Sequence, residues 1–391
     1  DQPVPDGSPY VAGTDFHKQW AVRNSGDRNW GSGFRLVFAQ GDVQMAHGVT
    51  AYVVPDAQPG DEVILPAYTY VATAAAIIAA GAVPVIAEID ESLGIDAADV
   101  EKKITPRTKA IIPVHMCGLP ANMDAVMAVA RQHGIKVLED VCQADGGSYH
   151  GKRLGSIGDA GAFSFNHFKI ISCGEGGAIS TSDDTIYYRA LVHHDGGCAF
   201  RDHAADVTVR IFAGTNFRMN EILSAILRVQ LTRLDDILSK LRAEKRLMMQ
   251  ELADVSGLSF SPINCIDGDC GVVLGLLFET AEQSRGFAQR LTEAGVACWS
   301  PYDSGIHCYW NWEPVLNQSG SYHPKRDAYK QTDVKYSYSV DMCPKTKDIL
   351  DRTQYINTSV NRSKDDLMDM VAAIAKAASS TPAGVTANAR V

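Results

Sequence analysis

In GAFSFNHFKIISCGEGG, residues 161–177, Lys169 is the single lysine and Glu175 the one acidic residue. Phe163, Phe165, Phe168, Ile170 and Ile171 crowd around it in the sequence. Taking an ammonium out of water is costly, so a lysine in this company calls for a reason. Alone, Lys169 reads equally well as a buried ion-pair partner or as a snorkelling surface side chain. Upstream, the apolar run IKVLED ends at Asp140 and continues into VCQADGG. Alone, that aspartate reads as a helix N-cap. Together, a strand-end carboxylate and a lysine in a Ser-x4-Lys segment suit a narrower chemistry. Pyridoxal phosphate (PLP) needs a lysine for its Schiff base, a carboxylate on its pyridine nitrogen, and hydroxyl or backbone donors for its phosphate. Ser164 offers such a hydroxyl, and Tyr70, in PAYTY, follows another apolar run. A partly desolvated amine beside a cationic group gives up its proton readily and becomes a nucleophile.

The elements that must position these residues alternate from about residue 60. DEVIL (61–65) reads as a strand, 70–81 as a helix ended by glycine, and VPVIAEI (83–89) as a strand. AIIPVHM (110–116) follows as a strand, then a helix over 123–134 and the strand IKVLED (135–140). GAFSF and GGAIST (176–181) add two short strands. Apolar runs rich in Val and Ile, separated by helices, predict an α/β fold with a large, mostly parallel sheet covered on both faces. In such sheets ligands bind beyond the carboxyl ends of the strands, where Asp140, Ser164 and Tyr70 fall. A long helix is expected over 220–254, with Ile222, Ala225, Ile226, Val229, Leu231, Leu234, Ile237 and Leu241 as its apolar stripe. This divides the chain into a large domain with an N-terminal segment (1–250), a small C-terminal α/β domain (251–378) and a disordered tail (379–391).

Composition narrows the partners. The chain has 391 residues, 46% hydrophobic and 21% charged, as expected of a soluble enzyme with more than one core. A net charge of −10 argues against a nucleic-acid partner. Nine cysteines lack paired spacing, and Cys265 with Cys270 makes a poor zinc signature, so no metal is expected and reduced thiols in the cytoplasm are. Neither a leader nor an apolar run long enough to span a bilayer is visible, so no membrane association is expected.

Several motifs in order resemble the DegT/DnrJ/EryC1/StrS family of sugar aminotransferases, which have the type I fold of PLP-dependent enzymes. They are Glu139-Asp140 with Gln143-Ala144, then Gly151, Gly155 and Gly158-Asp159, then Phe163-Ser164-Phe165 with Lys169, and Gly174-Glu175-Gly176-Gly177. PGDEVILPAYTYVATA (59–74), ITPRTKAIIPVHMCG (104–118) and GTNFRMNEILSAI (214–226) extend the likeness. It is strong over about 59–250 and weak in the C-terminal third. The resemblance implies that Lys169 is the catalytic lysine that carries the cofactor. It implies that Asp140 pairs with the pyridine nitrogen, that Gln143 lies beside the ring and its 3′-oxygen, and that Tyr70 stacks on the ring. Ser164 would bind the phosphate, joined by Asn216 from a neighbouring subunit, which implies a homodimer with shared sites. His307, in SGIHCYWNW, falls where relatives place substrate contacts; an ordinary surface or core histidine reads equally well.

One segment departs from the family pattern. The Ser-Gly-Thr that normally grips the phosphate ahead of PGDEV is replaced, in a gapless count, by Val43, Gln44 and Met45. Gly48 and Thr50 lie too close to the next motif for the expected helix, so a weakened phosphate cup is expected. The implied activity is amino transfer from glutamate or glutamine to a keto sugar, with nucleotide-linked sugars, cyclitols and keto-octulosonates all open. A sugar dehydratase of the same family would carry histidine in place of Lys169, and a degenerate sensor or structural relative is a third reading.

Overall fold

The computed structural model describes residues 35–39, 58, 60–197, 206–321, 324 and 327–379. The segment 41–50, with its altered cup, and all but the first residue of the tail at 379–391 lie outside the described residues.

The core of the molecule is a seven-stranded sheet in the order β1-β9-β8-β5-β4-β2-β3. Its strands are β1 (Arg35–Ala39), β2 (Glu62–Pro66), β3 (Val83–Ala87), β4 (Thr108–Ile111), β5 (Lys136–Asp140), β8 (Ala160–Ser164) and β9 (Gly177–Thr181). The pairs from β3 across to β8 are parallel, and β9 alone runs against its two neighbours. Every residue of β2 is buried, as expected of a strand covered on both faces. Helices α1 (Val71–Ala79), α2 (Ala97–Lys103) and α3 (Met123–His133) connect the strands, and α4 (Asp184–His194) follows β9. A small hairpin, β6 (Ser148–Tyr149) with β7 (Lys152–Arg153), sits between β5 and β8.

Local chemistry fixes the boundaries. Asn122 caps α3 by accepting from the Ala125 amide, and Gly134, at φ 65°, ends the helix in the left-handed conformation that costs glycine least. The expected strand over 110–116 leaves the regular ladder after Ile111. Pro113 has no N–H to give, but its carbonyl still accepts from the Asp140 amide at 2.9 Å, and a bridge joins Val114 to Asp140.

Helix α5 (Glu221–Leu252) spans 32 residues, about 48 Å at 1.5 Å per residue. Its inward side packs Leu223, Leu227, Leu231, Leu234 and Ile237 against Phe163, Phe165, Ile171 and Cys173. Ile222, Ile226 and Val229 of the expected stripe instead face outward, 75%, 42% and 57% exposed. Further along, Met248 and Leu252 enter a separate apolar cluster with β10 (Val273–Leu277), α6 (Ala281–Glu293), β11 (Thr353–Asn357) and α9 (Lys364–Ser379). Between α6 and β11 lie the short α7 (Glu313–Leu316) and α8 (Pro344–Asp351). Strands β10 and β11 form their own antiparallel pair, while Tyr309, Trp312, Ile349 and Tyr355 pack back into the core of the large sheet. Among the described residues no helix is long and apolar enough to cross a membrane.

Candidate active site

The carboxyl ends of β5 and β8, neighbouring parallel strands, place Asp140 and Ser164. Asp140 is buried. Its Oδ2 accepts from the Thr73 hydroxyl at 2.8 Å and its Oδ1 from the Cys142 amide at 3.1 Å. Thr73 belongs to α1 and lies 2.8 Å, Oγ1 to Oγ1, from Thr69, so the helix start holds the carboxylate in a fixed direction. Next to Cys142, the Gln143 side-chain oxygen accepts from the Cys117 amide at 2.9 Å. Cys117 has φ 51°, a left-handed conformation uncommon for a residue with a Cβ.

Ser164, the last residue of β8, is buried, and its hydroxyl has no hydrogen-bond partner among the described residues. Lys169 lies in the loop that follows. The Asn166 side chain accepts from the Phe168 amide at 3.1 Å, the Lys169 amide donates to the Asn166 carbonyl at 3.1 Å, and an Asn166–Gly174 bridge closes the loop. Phe165, Ile171 and Cys173 pack with Leu227 of α5, which explains two of the apolar residues near the lysine, while Phe168 is exposed. The Lys169 ammonium is half-buried and acts on four groups from different parts of the chain: Cys117, Cys142, Asp145 and His307. Burial pushes the Cys117 thiol up to about 12, and the lysine opposes that rise.

Tyr70, at the start of α1, and His307 meet with ring centroids 5.2 Å apart, tilted by 59°. The backbone brings them together. The Thr69 amide donates to the His307 carbonyl at 3.0 Å, and the Tyr309 amide donates to the Ala67 carbonyl at 3.0 Å. Burial holds the His307 imidazole below its ordinary pKa, and the nearby Lys169 charge adds to this. The ring is therefore neutral near pH 7. With Nδ1 donating to the Ser304 carbonyl at 3.1 Å, Nε2 is left as an acceptor. Asn216 is exposed on the segment between α4 and α5, where its side chain accepts from the Arg218 amide at 3.3 Å and its backbone bridges to Asp195. Its contacts are not to the other predicted site residues.

Sequence reasoning left three residues without a role. Thr73 and Asp145 are two. The third is Glu139, which has no solvent exposure and accepts from the amides of Gly155, Ile157 and Gly158 and from His115. It thereby ties the glycine-rich loop 151–159 to the strand that carries Asp140. The signal was present in the sequence, since a run of amides with small side chains needs an acceptor. A Cβ at Gly161 would lie 2.4 Å from the Gly155 Cα, so the loop approaches β8 only because both positions are glycine.

The residues fit PLP. An amine, a buried carboxylate and a buried hydroxyl lacking a partner stand at adjoining strand ends, the donor set that its carbonyl, ring nitrogen and phosphate require.

Residues 46–350 match the model of the DegT/DnrJ/EryC1/StrS aminotransferase family. Residues 3–72 also match an Ig-like domain from next to the BRCA1 gene; in the overlap, residues 62–66 and 71–72 lie in β2 and α1, inside the sheet domain. The chain is similar to GDP-perosamine synthase of Caulobacter vibrioides, at 43% identity over 46% of this chain and 48% of that protein. It is also similar to the erythromycin biosynthesis sensory transduction protein EryC1 of Saccharopolyspora erythraea, at 38% identity over 63% of this chain and 66% of that one. The chain thus spans about half to two thirds of the length of these curated relatives. The crystal structure of 3-amino-5-hydroxybenzoic acid synthase superposes with a TM-score of 0.68 at 26% identity, covering 88% of this chain and 86% of that one. The lone antiparallel strand β9, the strand-end aspartate and the family match over most of the chain agree: the protein has the type I fold and belongs to the DegT/DnrJ/EryC1/StrS aminotransferase family.

Proposed function

We propose that the protein is a PLP-dependent aminotransferase that passes an amino group from glutamate or glutamine to a keto sugar or related keto polyol. The observation that carries this reading is the donor set at the ends of β5 and β8: Asp140 fixed by Thr73, Ser164 buried without a partner, and Lys169 in the loop beyond. When bound, PLP supplies an electron sink for the charge released at the substrate's Cα. Lys169 holds the cofactor and, as a free amine, takes and returns the proton at Cα. Asp140, kept in place by the Thr73 hydroxyl and the Cys142 amide, holds the proton on the pyridine nitrogen. Tyr70 would cover one ring face, Gln143 would lie beside the ring, and Ser164 would bind the phosphate. Neutral His307, beside Tyr70, accepts from a substrate hydroxyl. The name of the first relative, GDP-perosamine synthase, supports a nucleotide-linked sugar within the substrate class.

The working unit in this reading is a homodimer, with Asn216 completing the partner's phosphate site and residues 251–378 forming the smaller domain. The exposed Ile222, Ile226 and Val229, on one side of α5, and Phe168, 79% exposed beside Lys169, support that interface. Eight described cysteines, all free thiols, support a reducing compartment such as the cytoplasm. The test is spectroscopic. Protein mixed with PLP should develop a visible band that glutamate or glutamine bleaches and a keto sugar restores. A band that no amino donor changes would refute amino transfer.

A further inference from the structure

Helix α5 carries Arg242, Lys245 and Arg246, cations at helical spacing i, i+3 and i+4, which share one side of the helix. With Ile266, Asp269 and Gly271, from the segment ahead of β10, they line a recess of about 170 Å³. None of these six residues belongs to the candidate active site. The segment is pressed against α5: Gly271 has φ 78°, and a Cβ there would lie 2.6 Å from the Arg242 amide nitrogen.

The charges around the recess do not cancel. Lys245 is buried and pairs with Asp269 Oδ2, while Asp269 Oδ1 accepts from the Gly271 amide at 2.7 Å. Arg242 Nε donates to the Asp269 carbonyl at 2.6 Å, a neutral acceptor that leaves the guanidinium charge unmatched. Its Nη2 is buried and has no hydrogen-bond partner among the described residues. Arg246 pairs with Asp267 at 2.9 Å, but the two side chains are 53% and 89% exposed, and such a bridge opens readily in water. Glu244, between Arg242 and Lys245 in sequence, is engaged by Arg362 and the Ser359 amide. Three cations therefore stand against two acids, Asp267 and Asp269, and a buried donor lacks an acceptor. Leaving such a donor unbonded costs stability, and a guanidinium fork is best matched by an oxyanion.

We propose that this recess is a binding site for a phosphate-sized oxyanion. Arg242 Nη2 is its buried donor, Lys245 the charge behind it, and Arg246 closes over it from the rim after leaving Asp267. Pockets for larger ligands start at ~300 Å³, so the recess takes a single oxyanion. That group is either free phosphate or the end of a phosphomonoester whose remainder stays in solvent. The site depends neither on PLP nor on amino transfer.

The full-length chain, titrated calorimetrically with inorganic phosphate at constant ionic strength, tests this, with chloride as the control. In Arg246→Gln, an exposed change that leaves the fold intact, Kd should rise about tenfold or more, and in Arg242→Gln binding at the recess should vanish. Ser164→Ala, which alters the other buried phosphate donor, should leave this binding in place. Phosphate should also protect Arg246 from phenylglyoxal, read by mass spectrometry. Glycerol 3-phosphate distinguishes the sources: tighter binding than phosphate points to an ester, weaker binding to the free ion. Phosphate that binds no better than chloride, an unchanged Kd in Arg246→Gln, or binding lost in Ser164→Ala alone would overturn the proposal. Should Arg242→Gln fail to fold, Arg246→Gln and the protection of Arg246 decide.

Discussion

Replacing Glu139 by glutamine changes one oxygen to an amide nitrogen, and its surroundings make that exchange severe. The two carboxylate oxygens divide four donors. Oε1 accepts from the Ile157 and Gly158 amides, both at 2.7 Å, and Oε2 from the Gly155 amide at 2.8 Å and His115 Nε2 at 3.3 Å. His115 cannot exchange roles, because its Nδ1 accepts from the Ala121 amide at 3.0 Å, which leaves the proton on Nε2. Whichever way the glutamine turns, its NH2 faces two donors and two bonds are lost. A hydrogen bond to a charged group is worth about 1.5–3 kcal/mol, so Glu139→Gln should cost about 3–6 kcal/mol. A typical fold holds only about 5–15 kcal/mol in total, so the loss is large. Denaturant titration at neutral pH measures it through the shift in midpoint at constant slope. Limited proteolysis should show loop 151–159 cleaved early in the variant. A stability loss below about 1 kcal/mol would refute the claim that Glu139 anchors this loop.

Lys169→Ala should remove the visible PLP band and multiple-turnover amino transfer with no large change in thermal midpoint; retained turnover would reject the lysine's role. Asp140→Asn should keep PLP bound but slow the half-reaction with glutamate by orders of magnitude, and Thr73→Val, which removes one donor to Asp140, should have a smaller effect in the same direction, both read by stopped-flow absorbance. Burial lowers the folded-state pKa of His307, so the unfolded chain takes up its proton first, and stability falls as pH drops from ~6.5. His307→Gln should lack that part of the acid loss in thermal melts between neutral and mildly acidic pH. For Asp145 the sign reverses. Its folded-state pKa is raised, so its contribution is fullest below the ordinary carboxylate range and is lost as pH rises. Asp145→Asn should therefore melt higher than wild type at neutral pH and lose that advantage in acid. Val229→Glu, on the outward side of α5, should shift sedimentation from dimer to monomer; an unchanged dimer would place the interface elsewhere.

The sheet was legible because its strands are short apolar runs bounded by turn residues, and β2, β3, β5, β8 and β9 all fall within two residues of their expected ends. Helix α2 was not legible: over AADVEKK it buries only Val100, too little for a stripe. Helix α4 follows β9 almost directly, and its signal was the Asp183 cap rather than any periodicity. The stripe on α5 mixed two faces, since 3.6-residue spacing does not say which apolar side chains meet the chain's own core. At the site, the lysine and the strand-end aspartate stood out by being out of place in apolar runs. Thr73 did not, because a threonine in an alanine-rich helix looks like filler until its hydroxyl is seen 2.8 Å from Asp140. His307 entered by a long-range backbone pairing with residues 67–69, a contact no local pattern encodes.

The carboxylates of this chain divide by what surrounds them. Glu139 takes four donors, and Glu88 takes the Lys345 and Thr346 amides and the Thr346 hydroxyl. Each holds two segments together, and each is saturated, as a buried acid must be if it serves the fold alone. Asp140 shares that treatment, with Thr73 on one oxygen and Cys142 on the other, as a group proposed to meet a ligand must be aimed before the ligand arrives. Ser164 and Asp145 break the pattern, both ahead of the Lys169 loop in sequence, one at the end of β8 and one in the turn after β5. Leaving a buried hydroxyl and a buried carboxyl unbonded costs stability. In the proposed reading a phosphate would take up the hydroxyl.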